Sequence, residues 1–142
     1  MKNIETIKKL EAFILYVILH QDKYIIPKVS FTNLLQFFKP IPEKGAEIFL
    51  RPDITYHRMS GDCDDWTTLI SFIAKRKGIK YKHVYKLNKD NAAIHIYPIL
   101  FIKGAWVTLD PWQSREAFKY KKLDDEKEIE TCLMIGGICQ TF

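Results

Sequence analysis

Glycine and proline are sparse, six of each in 142 residues, and no Gly/Ser tract, repeat or collagen-like period interrupts the chain. Disordered, fibrous and solenoid architectures are therefore set aside. Cysteine is scarce as well. Cys63, Cys132 and Cys139 are odd in number and unevenly spaced, which argues against a disulfide scaffold and for a reduced, intracellular chain. Long apolar runs are missing: Ala12 to Leu19 spans eight residues, against the ~20 needed to cross a bilayer. Glu5, Glu11 and several lysines precede that run, and His20-Gln21-Asp22-Lys23 follows with no small-residue cleavage site. A buried helix fits better than a signal peptide, so the expectation is a cytoplasmic protein with no membrane span.

Charge of one sign is also lacking. Lys and Arg number 22 against 17 Asp and Glu, a net +5. The basic residues are scattered, as in Lys75-Arg76-Lys77 and around Tyr120, and Asp124-Asp125-Glu126 interrupts them. Such patches read as solvated faces, and no nucleic-acid partner is expected. What the chain does have is core material, 47% apolar and 13% aromatic, enough for one domain over residues 1–142.

Ile4, Ile7, Leu10, Ile14 and Val17 recur at helical spacing and predict a first helix over 3–20. Ser30 to Phe38 predicts a second, short helix with a Ser cap, closed by Pro40 and Pro42. Residues 41–60 read as a surface loop punctuated by Pro42, Gly45 and Pro52. Cys63, Trp66, Thr67, Ile70, Ile73 and Ala74 then mark one face of a helix that Gly78 stops. Lys80 to Leu87, Ala92 to Ile102 and Trp106 to Asp110 read as strands, with turns at 88–91 and at Lys103-Gly104. Ser114 to Tyr120 suggests a helical turn or two, and Thr131 to Cys139 a last strand. Helices first and an antiparallel meander after them give an α+β class, with a helical part over 1–40 and the chemistry-bearing core over 61–113.

Gly61-Asp62-Cys63-Asp64-Asp65 sits where a loop meets a helix. A cysteine in a first helical turn feels unpaired backbone N–H groups, which favour thiolate and can hold an oxyanion. A nucleophilic cysteine needs a base, and the base needs an orienting partner. With a two-residue turn at Lys103-Gly104, Ile102 faces Ala105 and His95 falls opposite Trp112. Asp110 is then diagonal to His95 on the same sheet face. A four-residue loop would put His95 directly opposite Asp110, again on one face. In the preceding hairpin, pairing Leu87 with Ala92 sets His95 opposite Val84 and turns His83 to the other face. His95 is therefore preferred as the base.

Gly61-Asp62-Cys63-Asp64-Asp65-Trp66, Ile94-His95-Ile96-Tyr97 and Trp106-Val107-Thr108-Leu109-Asp110-Pro111, in that order, resemble the transglutaminase-like superfamily of papain-type cysteine enzymes. The likeness covers residues 50–113 and is nearest to small phage and bacterial members. It implies a papain-like core in which the Cys63 helix packs on an antiparallel sheet. It also implies Cys63 as nucleophile, His95 as base and Asp110 as orienter, acting on amide bonds through a thioester, with no cofactor. A further oxyanion donor in that family lies upstream of the cysteine, where Tyr56, His57 and Arg58 stand. Tyr56, Asp62, Asp64, Trp106 and Trp112 are the candidates for the oxyanion site and substrate groove.

Blander roles stand beside these. Asp62, Asp64 and Asp65 have carboxylates suited to a hard cation, but capping a helix N-terminus is the preferred reading, and their charge raises a thiol pKa. His20, His57 and His83 show no zinc spacing with any cysteine pair. Cys132 and Cys139 read as core. Pro98 removes a ladder donor and suggests a bulge or an edge strand. The leading expectation is a hydrolase or acyltransferase with a peptide or protein substrate. A structural or adaptor protein, such as a phage virion component, and a cell-wall cysteine endopeptidase or amidase are the alternatives.

Overall fold

Asn3 opens the first helix, α1 (Ile4–Leu19), by accepting the Thr6 N–H on its side-chain oxygen at 2.9 Å. In this computed structural model the described residues are 3–42, 48–87 and 92–112, with 127–130 as backbone. Ile7, Leu10, Ile14 and Val17 bury the predicted stripe of α1, and Glu11 lies on the same buried side. Ser30 caps α2 (Phe31–Phe37) through the Asn33 N–H at 3.1 Å.

The stretch 41–60 is not a plain loop. It holds α3 (Pro52–Arg58), with Pro52 at the first helical position. Proline's fixed φ suits that position, and its missing N–H is one that a helix start leaves unbonded anyway. What reads in the sequence as punctuation is thus a helix start. Met59 ends α3 with φ 50°. Two short strands, β1 (Lys39–Pro40) and β2 (Ser60–Gly61), then pair in parallel. They are joined by Lys39 N–H to Met59 O and Ile41 N–H to Gly61 O, both 2.9 Å.

The helix that carries Cys63 is α4 (Cys63–Lys77), stopped by Gly78 at φ 71°. Its predicted one-faced burial is too narrow. Every residue from Cys63 to Ala74 is buried, because α1 and α3 pack against α4 as well as the sheet. The polar face therefore has to be satisfied internally: Thr68 Oγ1 donates to Asp64 O at 2.8 Å and Ser71 Oγ to Thr67 O at 2.7 Å.

The sheet is antiparallel, in the order β5-β4-β3-β6, with β3 (Tyr81–Leu87), β4 (Ala93–Ile102), β5 (Ala105–Thr108) and β6 (Lys127–Glu130). Tyr81, Tyr85, Ile96 and Leu100 line its helix-facing side and join the main core. Val84, Tyr97, Ile99 and Trp106 cluster on the other side. Ile102 pairs with Ala105, as the tight turn requires. Lys103 and Gly104 both take positive φ, 51° and 80°, the signature of a two-residue hairpin loop.

The β3–β4 register differs from expectation. Val84 pairs with Tyr97, and His95 stands opposite Lys86, not Val84. An irregularity between Lys86 and Leu87 then lets Leu87 meet Ala93. The shift from the expected pairing is two residues, so it keeps every side chain on its face, and His83 and His95 still point to opposite sides. Ser114–Tyr120, Cys132 and Cys139 lie outside the described residues. No helix among the described residues is long and apolar enough to cross a membrane. The chain is a mixed helix and sheet protein, with a helix packed on an antiparallel sheet.

Candidate active site

The junction before α4 is built around Gly61. A Cβ there would come within 2.7 Å of Asp65 Cβ and 2.8 Å of its Oδ2, so the Asp65 side chain fills the space that any other residue would need. Asp62 is the N-cap: its Oδ1 accepts the Asp65 N–H, and Asp65 Oδ2 accepts the Asp62 N–H, each at 3.0 Å. This reciprocal box answers the preferred reading of the acidic cluster for two of its three members. Among the described residues no group of three His, Cys, Asp or Glu side chains is placed to hold a metal.

Burial, with the Asp62 charge second, pushes the Asp65 carboxyl up to about 7. The backbone N–H groups of Asp62 and Leu50 oppose that rise. Cys63 is the first residue of α4 and is 8% exposed, with Sγ 3.9 Å from Oδ1 of the buried Asp64.

His95 and Asp110 meet as expected. Nε2 of His95 is 2.8 Å from Asp110 Oδ2, across 15 residues of sequence. The Asp110 side chain is wholly buried while that of His95 keeps 16% exposure. The other Asp110 oxygen, Oδ1, accepts the Trp112 N–H at 3.0 Å, so the carboxylate is held at both ends. The His95 ring packs between Tyr97 (5.8 Å) and Trp112 (5.6 Å). Among the described residues its hydrogen bonds run to Asp110 alone, so Nδ1 is open and no hydrogen bond joins it to Cys63.

The proline in β4 explains how α4 is tied to this pair. Pro98 lies in a strand with a neighbour on each side, not at an edge, and the irregularity lies elsewhere. In the β4–β5 register Pro98 faces Leu109, and the Leu109 N–H donates to Pro98 O at 3.2 Å. The return bond is impossible because proline has no N–H. The vacated Leu109 carbonyl instead accepts the indole N–H of Trp66, at 2.9 Å. Trp66 lies one turn along α4 from Cys63, and Leu109 immediately precedes Asp110. A missing donor in the sheet thus becomes the anchor that sets the Cys63 end of α4 beside the Asp110 strand end.

The remaining candidates are spread around this frame. Trp112 touches His95 and, at 6.2 Å, Phe38. Trp106 packs instead with Val84, Tyr97 and Ile99, with Lys82 over its ring. It reaches the His95 neighbourhood through Tyr97. Tyr56 is half-buried in the last turn of α3, against the main core.

Sequence reasoning missed a second arrangement. His83 Nδ1 lies 2.5 and 2.8 Å from the Glu11 oxygens, and Nε2 lies 2.7 Å from Ser71 Oγ. The available signal was a glutamate on the apolar stripe of the first helix. No protein-family model matches the chain, and neither a curated protein nor a solved structure matches it.

Proposed function

We propose that this chain is a cysteine hydrolase or acyltransferase of transglutaminase type, with a papain-like core, acting on amide bonds of a peptide or protein. The observation that carries the reading is the His95–Asp110 pair at 2.8 Å, on a strand end anchored to the helix that Cys63 begins. Asp110 fixes the ring through Nε2 and turns the open Nδ1 to the role of base. His95 shares the sheet face of Tyr97, turned from the face on which α4 packs, so the reading requires Cys63 and Nδ1 to meet around the strand end when substrate binds.

Nδ1 takes the thiol proton and the Cys63 sulfur attacks the carbonyl carbon. The oxyanion is held by first-turn N–H groups of α4. The tetrahedral adduct collapses, the C–N bond breaks, and the imidazolium returns its proton to the leaving amine. A thioester remains. Water, deprotonated by His95, releases a carboxylic acid; a primary amine in its place gives a new amide.

The test is acyl transfer from a glutamine dipeptide to hydroxylamine, read as hydroxamate, beside iodoacetamide labelling mapped by mass spectrometry. Cys63→Ala should abolish both hydroxamate and the neutral-pH adduct. Preferential labelling of Cys132 would sink the reading.

A second reading is favoured by one observation, the 8% exposure of Cys63. In it the fold and the histidine–aspartate pair serve a structural or adaptor protein, such as a virion component. An inert Cys63 together with strong self-association in size-exclusion chromatography would select it.

A further inference from the structure

Asp65 has no assigned part in the chemistry above, yet it is the most constrained acid beside the proposed nucleophile. Its carboxyl is folded back over Gly61, closes the cap with Asp62, and is 5% exposed. We propose that Asp65 is a pH-dependent positioning residue for Cys63, clamping the loop–helix junction and, once ionised, holding the thiol protonated. The inference rests on the reading of Cys63 as nucleophile.

The geometry permits two charge states. With Asp65 neutral, its proton sits on Oδ1, which is buried and has no hydrogen-bond partner among the described residues, while Oδ2 still accepts the Asp62 N–H. The junction then carries one negative charge from this pair. With Asp65 ionised, two carboxylates face each other, one on the residue before Cys63 and one in the first turn that Cys63 begins. A thiolate formed there meets the added charge. Burial places the changeover at about 7, where a modest change in pH alters the balance.

Other titratable groups on the packed elements are engaged or remote in role. Asp53 of α3 is held by Arg51, with Tyr56, His57 and Arg58 in the last turn of that helix. Glu11 of α1 is held by His83 of β3, where Tyr81 also stands, and His95 of β4 is held by Asp110. Lys39 of β1 precedes the strand residue that pairs with Gly61, and Asp64 adjoins the thiol itself.

The experiment follows the rate of Cys63 alkylation by iodoacetamide from pH 5 to 10 in the full chain. Asp65→Asn keeps an oxygen for the Asp62 N–H but cannot ionise. Its rate profile should follow a single proton loss, moved down by roughly half to one pH unit, with the rate at pH 8 raised about threefold to tenfold. The wild-type profile should be broader, with a second inflection near 7. Asp62→Asn removes the partner charge and should carry that inflection to lower pH, an arm that stands if Asp65→Asn folds poorly.

His95→Asn separates the two proposals. If it alters the profile while Asp65→Asn matches wild type, the positioning role is overturned and the catalytic reading stands. If Asp65→Asn shifts the profile while His95→Asn does not, the positioning role stands and the catalytic base is overturned.

Discussion

Two histidine–carboxylate pairs occupy neighbouring strands of one sheet, on opposite faces, and they are closed to different degrees. His83 is buried with both ring nitrogens committed, Nδ1 to Glu11 and Nε2 to Ser71. The Ser71 hydroxyl has one proton and points it at the Thr67 carbonyl, which can only accept. Nε2 therefore donates to Ser71, and Nδ1 meets the Glu11 carboxyl. Tyr81 stands nearby, its hydroxyl pKa raised by burial first and by the Glu11 charge second. His95 has the same kind of carboxylate partner, but among the described residues its Nδ1 has none, and the side chain keeps partial exposure. A ring committed at both nitrogens holds α1, α4 and β3 together. A ring committed at one has a nitrogen left for chemistry.

The sharpest way to break this comparison is to remove each ring and measure both stability and reactivity. His95→Asn should lower hydroxamate formation by about 10²–10⁴-fold, the usual worth of a positioned acid–base group, with little change in melting temperature. Equal loss from His83→Asn at unchanged stability would erase the distinction.

The next effect is on folding. Glu11→Gln removes one partner of the buried Glu11–His83 pair and should destabilise the protein by about 3–5 kcal/mol, read from urea denaturation. Replacing Glu11 and His83 together by Leu and Met should recover most of that loss, because a well-packed apolar pair avoids the desolvation of two buried polar groups. Destabilisation of the double variant beyond that of Glu11→Gln would mean that the pair does not act as a staple between α1 and β3.

Much of the second region was legible beforehand and little of the first. Either loop length at Lys103-Gly104 keeps His95 and Asp110 on one face, so their approach is legible before the register is known; the structure takes the two-residue turn. The β3–β4 register differs by two residues from the sequence expectation because residues 88–91 carry no apolar signal, and the face assignment holds because the shift is even. The helix over Pro52–Arg58 was hidden by a proline that starts an element as readily as it ends one. The staple was illegible for a different reason: Glu11 and His83 stand 72 residues apart, and no local pattern pairs them. Burial of α4 on all sides is hidden too, since Thr68 and Ser71 look like a solvent face until their hydroxyls are seen bonding within the fold.

Titration distinguishes the open end of the molecule further. The Asp65 carboxyl is raised in the fold from an ordinary 3.8 to about 7. Between those values the folded chain binds more protons than the unfolded one, so this group's contribution to stability is lost as pH rises from about 4 to about 7 and is flat above. Asp65→Asn should therefore gain on wild type across that window, by about 1–3 kcal/mol at pH 8 relative to pH 5. A difference that does not vary with pH would show that Asp65 is charged throughout.

The smallest effect concerns the anchor between the two regions. If the Leu109 carbonyl accepts from Trp66 because Pro98 cannot donate, then the two residues are coupled although they need not touch. Trp66→Phe leaves that carbonyl buried and unsatisfied, at a cost of about 1–3 kcal/mol. In a Pro98→Ala background a backbone N–H is supplied at the facing position, and the same substitution should cost about 1 kcal/mol less. A double-mutant cycle in urea reads that coupling directly. Strict additivity would mean that the proline and the indole bond are independent, and that the Cys63 helix is held beside the Asp110 strand by packing of Phe38, Trp66 and Trp112 alone.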